Sequence, residues 1–346
     1  MKEIDKINLV KYGIIEEPFD YSFLDEELIE IYESFNKKFE KLYKRKAEQY
    51  NLKDCHFIIE NSIYSNAFAR SKRGYNIIGI TQGYIKTMTD IFDKKNFEKL
   101  LFIALKSDAR TSNSYAELYE MENFEFHTFM FNCSIQFTFG HEFQHILQLN
   151  SDRVATKTEL NENLTNVKFD LNRHAWEFDA DRFGSFEVLK YIHQIKNEFK
   201  VNSDDIFKCM LYLGLGSLFL TKLLYYFNVS KSTEVINTKP FYTKENSHPH
   251  PITRIFNITE YFKNNIEDLF PNLKIEIQDL LNNSLAILDN YLNSLFPKQK
   301  VIKYFFDDWG LYLDEINEYN NVLYDACIND KSIKDLLIKR GINFEN

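Results

Sequence analysis

The sequence predicts a predominantly helical α+β fold, and three observations carry that reading. Glycine (10) and proline (6) are scarce for 346 residues, so few points along the backbone break a helix. One stretch, residues 55–81, alternates apolar and polar positions as half-buried strands do. Nearly everywhere else the apolar positions recur at helical spacing.

Taken in order, residues 19–50 read as helix, as in "FLDEELIEIYESFNKKFEKLY". Strands are expected near 55–60, 64–70 and 75–81, with a turn at Ser71–Gly74, forming a sheet of three or more strands. A helix follows over 95–106, a loop over 107–115, and then one long helix ending near Leu149. Residues 150–172 are mostly polar. A helix over 173–197 comes next, then an apolar segment, a polar loop at 228–247, and a helix opening after the prolines of "HPHPITRI". The remainder, 272–346, reads as about three amphipathic helices. This divides the chain into an N-terminal helical segment (1–50), a central domain (51–265) with a helical insertion at 86–130, and a C-terminal helical segment (266–346) packed on it.

Composition narrows the function classes. Apolar residues make up 44% of the chain and aromatics 16%, which is incompatible with a disordered protein. A net charge of −9 without long basic runs argues against a nucleic-acid partner. The one basic stretch, "KKFEKLYKRK" at 37–46, reads as a solvated helix face. Four cysteines lie far apart with no C-x-x-C, as expected in a reducing compartment. The first residues lack a signal-peptide core, so a cytoplasmic location is expected. The Asn-, Lys-, Ile- and Phe-heavy composition points to an AT-rich bacterial source. Within 206–227, Cys209 to Thr221 is an uncharged run of 13 residues; a membrane span needs roughly 18–20. A buried core helix is the expectation there, with a short membrane-associated segment as the alternative.

Chemistry concentrates in "FGHEFQHILQLN", Phe139 to Asn150. On a helix, His141 and His145 lie one turn apart on the same face and can direct two imidazole nitrogens at one ion. Glu142 is rotated by about 100° from His141, which places its carboxylate beside that ion rather than on it. A general base acting on an activated water belongs there. A third ligand is needed, and "HAWEFDAD" supplies candidates: His174, Glu177 and Asp181 share a face at i, i+3 and i+7. Glu177 is the ligand favoured, with His174 the other candidate. Asp181 suits the orienting of a ligand histidine, and Asp179 is expected to be exposed. In "SHPHPITRI", His248 or His250 can stabilise a developing oxyanion, and Arg254 can anchor the loop or bind a carboxylate.

Together these segments resemble the gluzincin zinc metallopeptidases of the HtpX and CAAX-processing type. "NAFA" (66–69) with "NIIGITQGYI" (76–85) looks like that family's strand pair, "GHEFQHI" like its zinc helix, "EFDAD" like its E-x-x-x-D, and "SHPHPITRI" like its late H-P-x-x-x-x-R-I. The resemblance covers about residues 60–260 and implies a zincin-like domain with the sheet over the H-E-x-x-H helix. It implies one Zn²⁺ per chain on His141, His145 and Glu177, with Glu142 as base and His248 at the oxyanion. It also implies a protein or peptide substrate laid along Asn66, Ala67 and Phe68, with Arg254 nearby. Residues 64–69 would be the edge strand that pairs with substrate, and Gly140 would let the sheet approach the helix. The chain departs from the family in the 55 residues between Ile85 and His141, a longer interval than is usual, and in having at most one short candidate span where family members usually carry several. Soluble phage-exclusion peptidases of the Lit type share the zinc motif. Three functions are therefore carried forward: a zinc endopeptidase, a latent defence or stress protease acting on one host protein, and a catalytically silent zincin-fold binding protein.

Overall fold

The computed structural model describes residues 9–93, 97–98, 101, 105, 111–151, 159–161, 169–226, 240–295 and 301–339. Among these the fold is α+β and mostly helical, with one four-stranded mixed sheet. The chain separates into two compact units. One comprises residues 1–90, 138–167 and 326–346; the other comprises 91–137 and 168–325.

The first unit is built on the sheet. Helix α1 (Glu26–Tyr50) precedes β1 (Cys55–Glu60), β2 (Ala67–Lys72) and β3 (Tyr75–Thr81), and α2 (Gln82–Ile91) follows directly. Lys72 faces Tyr75 across a two-residue turn in which both Arg73 (φ 54°) and Gly74 (φ 86°) are left-handed. That is the type I′ geometry whose twist suits a hairpin, and glycine enters its second position without strain. The hairpin's second strand, β3, then inserts beside β1 as a parallel neighbour, giving the order β1-β3-β2-β4 with β4 at Glu159–Asn161.

This order corrects one expectation. Residues 64–69 were expected to form a free edge, but Phe68, Ala69 and Arg70 pair with Asn161, Leu160 and Glu159. The Phe68 side chain is buried in a cluster with Leu9, Ile14, Ile15, Ile58 and Ile77, and Asn66 and Ala67 are buried as well. At the opposite side of the sheet, the chain at 17–19 closes on β1. Phe19 N–H donates to Ile59, Asn61 N–H donates to Glu17, and Pro18 bridges Glu60.

Helix α3 (Ser112–Glu120) and helix α4 (Phe126–Ser151) are separate. The expected loop at 107–115 thus ends sooner, and the expected single long helix is broken at 121–125, where Asn123 takes a left-handed φ of 66°. Most of the helix expected at 95–106 and of the segments 150–172 and 228–247 lies outside the described residues. The C-terminal part of α4 is seated by aromatic rings spaced one turn apart on two helices. Phe39 and Tyr43 of α1 meet Phe139, and Tyr43 also meets Phe143, at 6.0–6.2 Å between ring centroids. Tyr84 Oη donates to Thr138 Oγ1 at 3.0 Å, and Asn150 Nδ2 donates to Asn76 Oδ1 of β3 at 2.8 Å. These contacts hold α4 on both sides of residues 141–145. Lys46, expected on a solvated face of α1, is buried.

The second unit is helical: α5 (Leu171–Glu198), α6 (Asp204–Tyr226), α7 (Pro251–Leu269), α8 (Ile277–Leu295), α9 (Val301–Leu311) and most of α10 (Leu313–Asn329). The short α11 (Lys331–Lys339) falls in the first unit. Among the described residues the C-terminal region thus holds four helices, where about three were expected. The apolar run 209–221 is buried on every side within α6, which explains why that helix is apolar all round. No helix among the described residues is long and apolar enough to cross a membrane. Gly184 of α5 lies against α4: a Cβ there would meet the Phe137 carbonyl oxygen at 2.8 Å. The two helices touch closely because that side chain is absent.

Candidate metal centre

Helix α4 carries three polar side chains on one stripe, His141, His145 and Gln148, at i, i+4 and i+7. The rings of His141 and His145 stand perpendicular, and their Nε2 atoms are 3.0 Å apart. Gln148 Oε1 lies 2.8 Å from His145 Nδ1. A carbonyl oxygen only accepts, so Nδ1 donates and the Nε2 of a neutral His145 carries its lone pair. The ring is thus held in the tautomer that a ligand requires. Gln148 was not anticipated from the sequence, although an H-x-x-Q spacing on a helix is the signal that finds it.

Helix α5 brings the carboxylate. Asp170 caps it by accepting from the backbone N–H of Asn172 and Arg173 at 2.9 and 3.3 Å, which fixes where its turns begin. His141, His145 and Glu177 each present one ligand atom, all three atoms lie within 4.8 Å of one another, and all three residues are buried. This group could hold a metal ion. The donor set fits one: two imidazole nitrogens and a carboxylate oxygen suit a divalent transition metal. With bonds near 2.0–2.1 Å, donors around a tetrahedral ion sit about 3.3 Å apart, close to the nitrogen separation found. Glu142, next to His141, is 2% exposed.

Beside Glu177 lies a buried group of charges. Arg254 of α7 donates from Nε to Asp181 Oδ2 at 2.7 Å and from Nη2 to Asp181 Oδ1 at 2.8 Å. The same Nη2 stands 3.1 Å from Glu177 Oε2. Asp181 was expected to orient a ligand histidine; the structure gives it Arg254, which in turn touches Glu177. Lys222 of α6 approaches Asp181 Oδ1 at 3.7 Å. Asp179, expected to be exposed, is buried, because α5 is enclosed on most of its circumference.

The histidine loop resolves into two roles. His250 is the N-cap of α7: its Nδ1 accepts from Ile252 N–H at 3.3 Å, ahead of Pro251 in the first helical turn. His248 Nε2 comes to 3.5 Å of Glu177 Oε1, and its Nδ1 lies 2.9 Å from Ser247 Oγ. His174 has both nitrogens engaged elsewhere. Nε2 is 2.7 Å from the Asn246 carbonyl and so donates, and Nδ1 is 2.7 Å from Tyr319 Oη. Burial chiefly lowers the His174 pKa, which favours this neutral, hydrogen-bonded form. The phenol of Tyr242, beside His250, is pushed up to about 12, again mainly by burial.

Comparison with protein-family models, with curated proteins and with solved structures finds no match to this chain.

Proposed function

We propose that the chain is a zinc-dependent endopeptidase. The observation that carries the reading is the buried group His141, His145 and Glu177, two of whose members belong to an H-E-x-x-H on one helix. The three side chains hold the ion, and Gln148 fixes the tautomer of His145. Zn²⁺ bound there supplies acidification of a water molecule and polarisation of a peptide carbonyl. Glu142, beside His141 on the same helix, would take a proton from the attacking water as its oxygen adds to the carbonyl carbon. The same carboxylic acid would then give that proton to the departing amine nitrogen as the C–N bond breaks, leaving a carboxylic acid, which keeps the water's other proton, and an amine. His248 donates a hydrogen bond from Nε2 to the carbonyl oxygen as it gains charge, with Ser247 Oγ–H directed at its Nδ1.

One observation favours a latent form of this activity. His141, Glu142, His145 and Glu177 are each 1–2% exposed, so an extended substrate needs the site to open. A latent enzyme is inert on a general substrate such as casein and cleaves only with its trigger.

The test is metal analysis of the purified protein by mass spectrometry, wild type beside Glu177→Ala. One zinc per chain, lost in the variant, is the expected result. No zinc in the wild type, even after reconstitution, would overturn the proposal.

A further inference from the structure

Helix α6 carries a buried lysine at the end of its apolar run. Lys222 follows 13 uncharged residues, is 5% exposed, and its ammonium lies 5.2 Å from the ring centroid of Phe137. A buried ammonium is costly without a counter-charge, and Asp181 stands at 3.7 Å. Asp181 already receives two N–H bonds from Arg254. The second cation is explained by how Arg254 is shared. Its Nη2 serves Asp181 Oδ1 at 2.8 Å and faces Glu177 Oε2 at 3.1 Å, so one guanidinium spans two carboxylates. Lys222 supplies the second positive charge, and the four groups then balance.

We propose that Lys222 is a positioning residue for the metal ligand. This rests on the metal-site reading above. A guanidinium between two carboxylates settles where their pulls balance. Asp181 binds it at two points and pulls harder. Lys222 draws off part of that pull by its own attraction to Asp181, and Arg254 keeps its hold on Glu177 Oε2. With Oε2 paired by charge to the guanidinium at 3.1 Å, Glu177 offers an ion its other oxygen alone. One-oxygen ligation beside two imidazoles selects a small transition-metal dication in low coordination number over Ca²⁺ or Mg²⁺, which take more oxygens. Lys222 thereby sets the ligation mode from two residues away, without touching the ion.

Co²⁺ serves as the probe, because its visible bands report coordination number. Full-length wild type, Lys222→Met and Lys222→Arg are titrated with Co²⁺. The dissociation constant is read by chelator competition and the fold by circular dichroism. Lys222→Met is expected to fold, to bind Co²⁺ about tenfold more weakly, and to show weaker, shifted bands as Glu177 turns to two-oxygen ligation. Lys222→Arg should restore both. Unchanged bands and affinity in a folded Lys222→Met would overturn the inference while leaving the metal site standing. So would tighter binding with unchanged bands, the signature of a mere lost positive charge. Should Lys222→Met not fold, Lys222→Gln, which keeps a polar side chain but removes the charge, takes its place; a wild-type spectrum in it overturns the inference. A wild type that binds no Co²⁺ overturns the metal-site reading and this inference together.

Discussion

Two helices each bury histidine, and they use it differently. On α4, His145 gives one nitrogen to Gln148 and turns the other towards His141. On α5, His174 gives both nitrogens to protein partners, the Asn246 carbonyl and Tyr319 Oη. Burial and sequence context are alike in the two cases. What separates a ligand from a structural histidine is where the second nitrogen points. On the reading proposed above the α4 pair faces an ion, whereas His174 fastens the loop two residues ahead of His248.

The sharpest test of that contrast is Glu142→Gln. If α4 presents a catalytic face, the variant keeps its metal and its fold but loses turnover by about 10²–10⁴-fold. Retained proteolysis at full metal content would break the assignment. Next in size is Gln148→Leu, which removes the acceptor that fixes the His145 tautomer. Metal affinity should fall by about 10–100-fold while thermal stability moves little. The reverse pattern, stability lost and affinity kept, would put Gln148 with His174 as a packing group.

His174→Phe should do what Gln148→Leu does not. Metal stoichiometry stays at the wild-type value, and stability falls by about 1–3 kcal/mol from two lost hydrogen bonds, read from the urea midpoint. A loss of metal would return His174 to the ligand set. The smallest effect is a matter of pH. Burial lowers the His174 pKa in the folded chain, so below about pH 6.5 the unfolded chain binds the proton more readily. Stability contributed by neutral His174 is present above that pH and declines as pH falls below it. The wild type should therefore lose stability faster than His174→Phe between pH 7 and 5; parallel curves would contradict the assignment.

The same contrast explains what could be read from the sequence. Features local to one element were legible. The strands and their turn showed as alternation ending at Arg73–Gly74, and the histidine pair showed as a one-turn spacing. His141, His145 and Glu177 were named from spacing and resemblance because each spacing sits on a single helix. Features assembled from distant segments were not legible. Asp181 reads as an acid one turn beyond Glu177, and nothing in 171–198 says that Arg254, 73 residues on, will clamp it. Lys222 reads as the flank of an apolar run until α6 and α5 are brought together. Asp179 reads as exposed because an amphipathic pattern assumes one wet face, and α5 has almost none. The pairing of 68–70 with 159–161 joins segments some 90 residues apart, so the free-edge expectation failed for the same reason.

The sheet also ends in a particular way on its β1 side. The strand's last residues are met by 17–19, whose central residue is Pro18. A proline has no N–H to offer outward, so this short closing segment makes a poor template for a further strand. The exposed flank that most sheets must guard against self-association is closed here by the chain itself. Protection of that flank thus depends on residues 17–19, and a shortened chain beginning beyond Phe19 would leave β1 open to pairing with another chain.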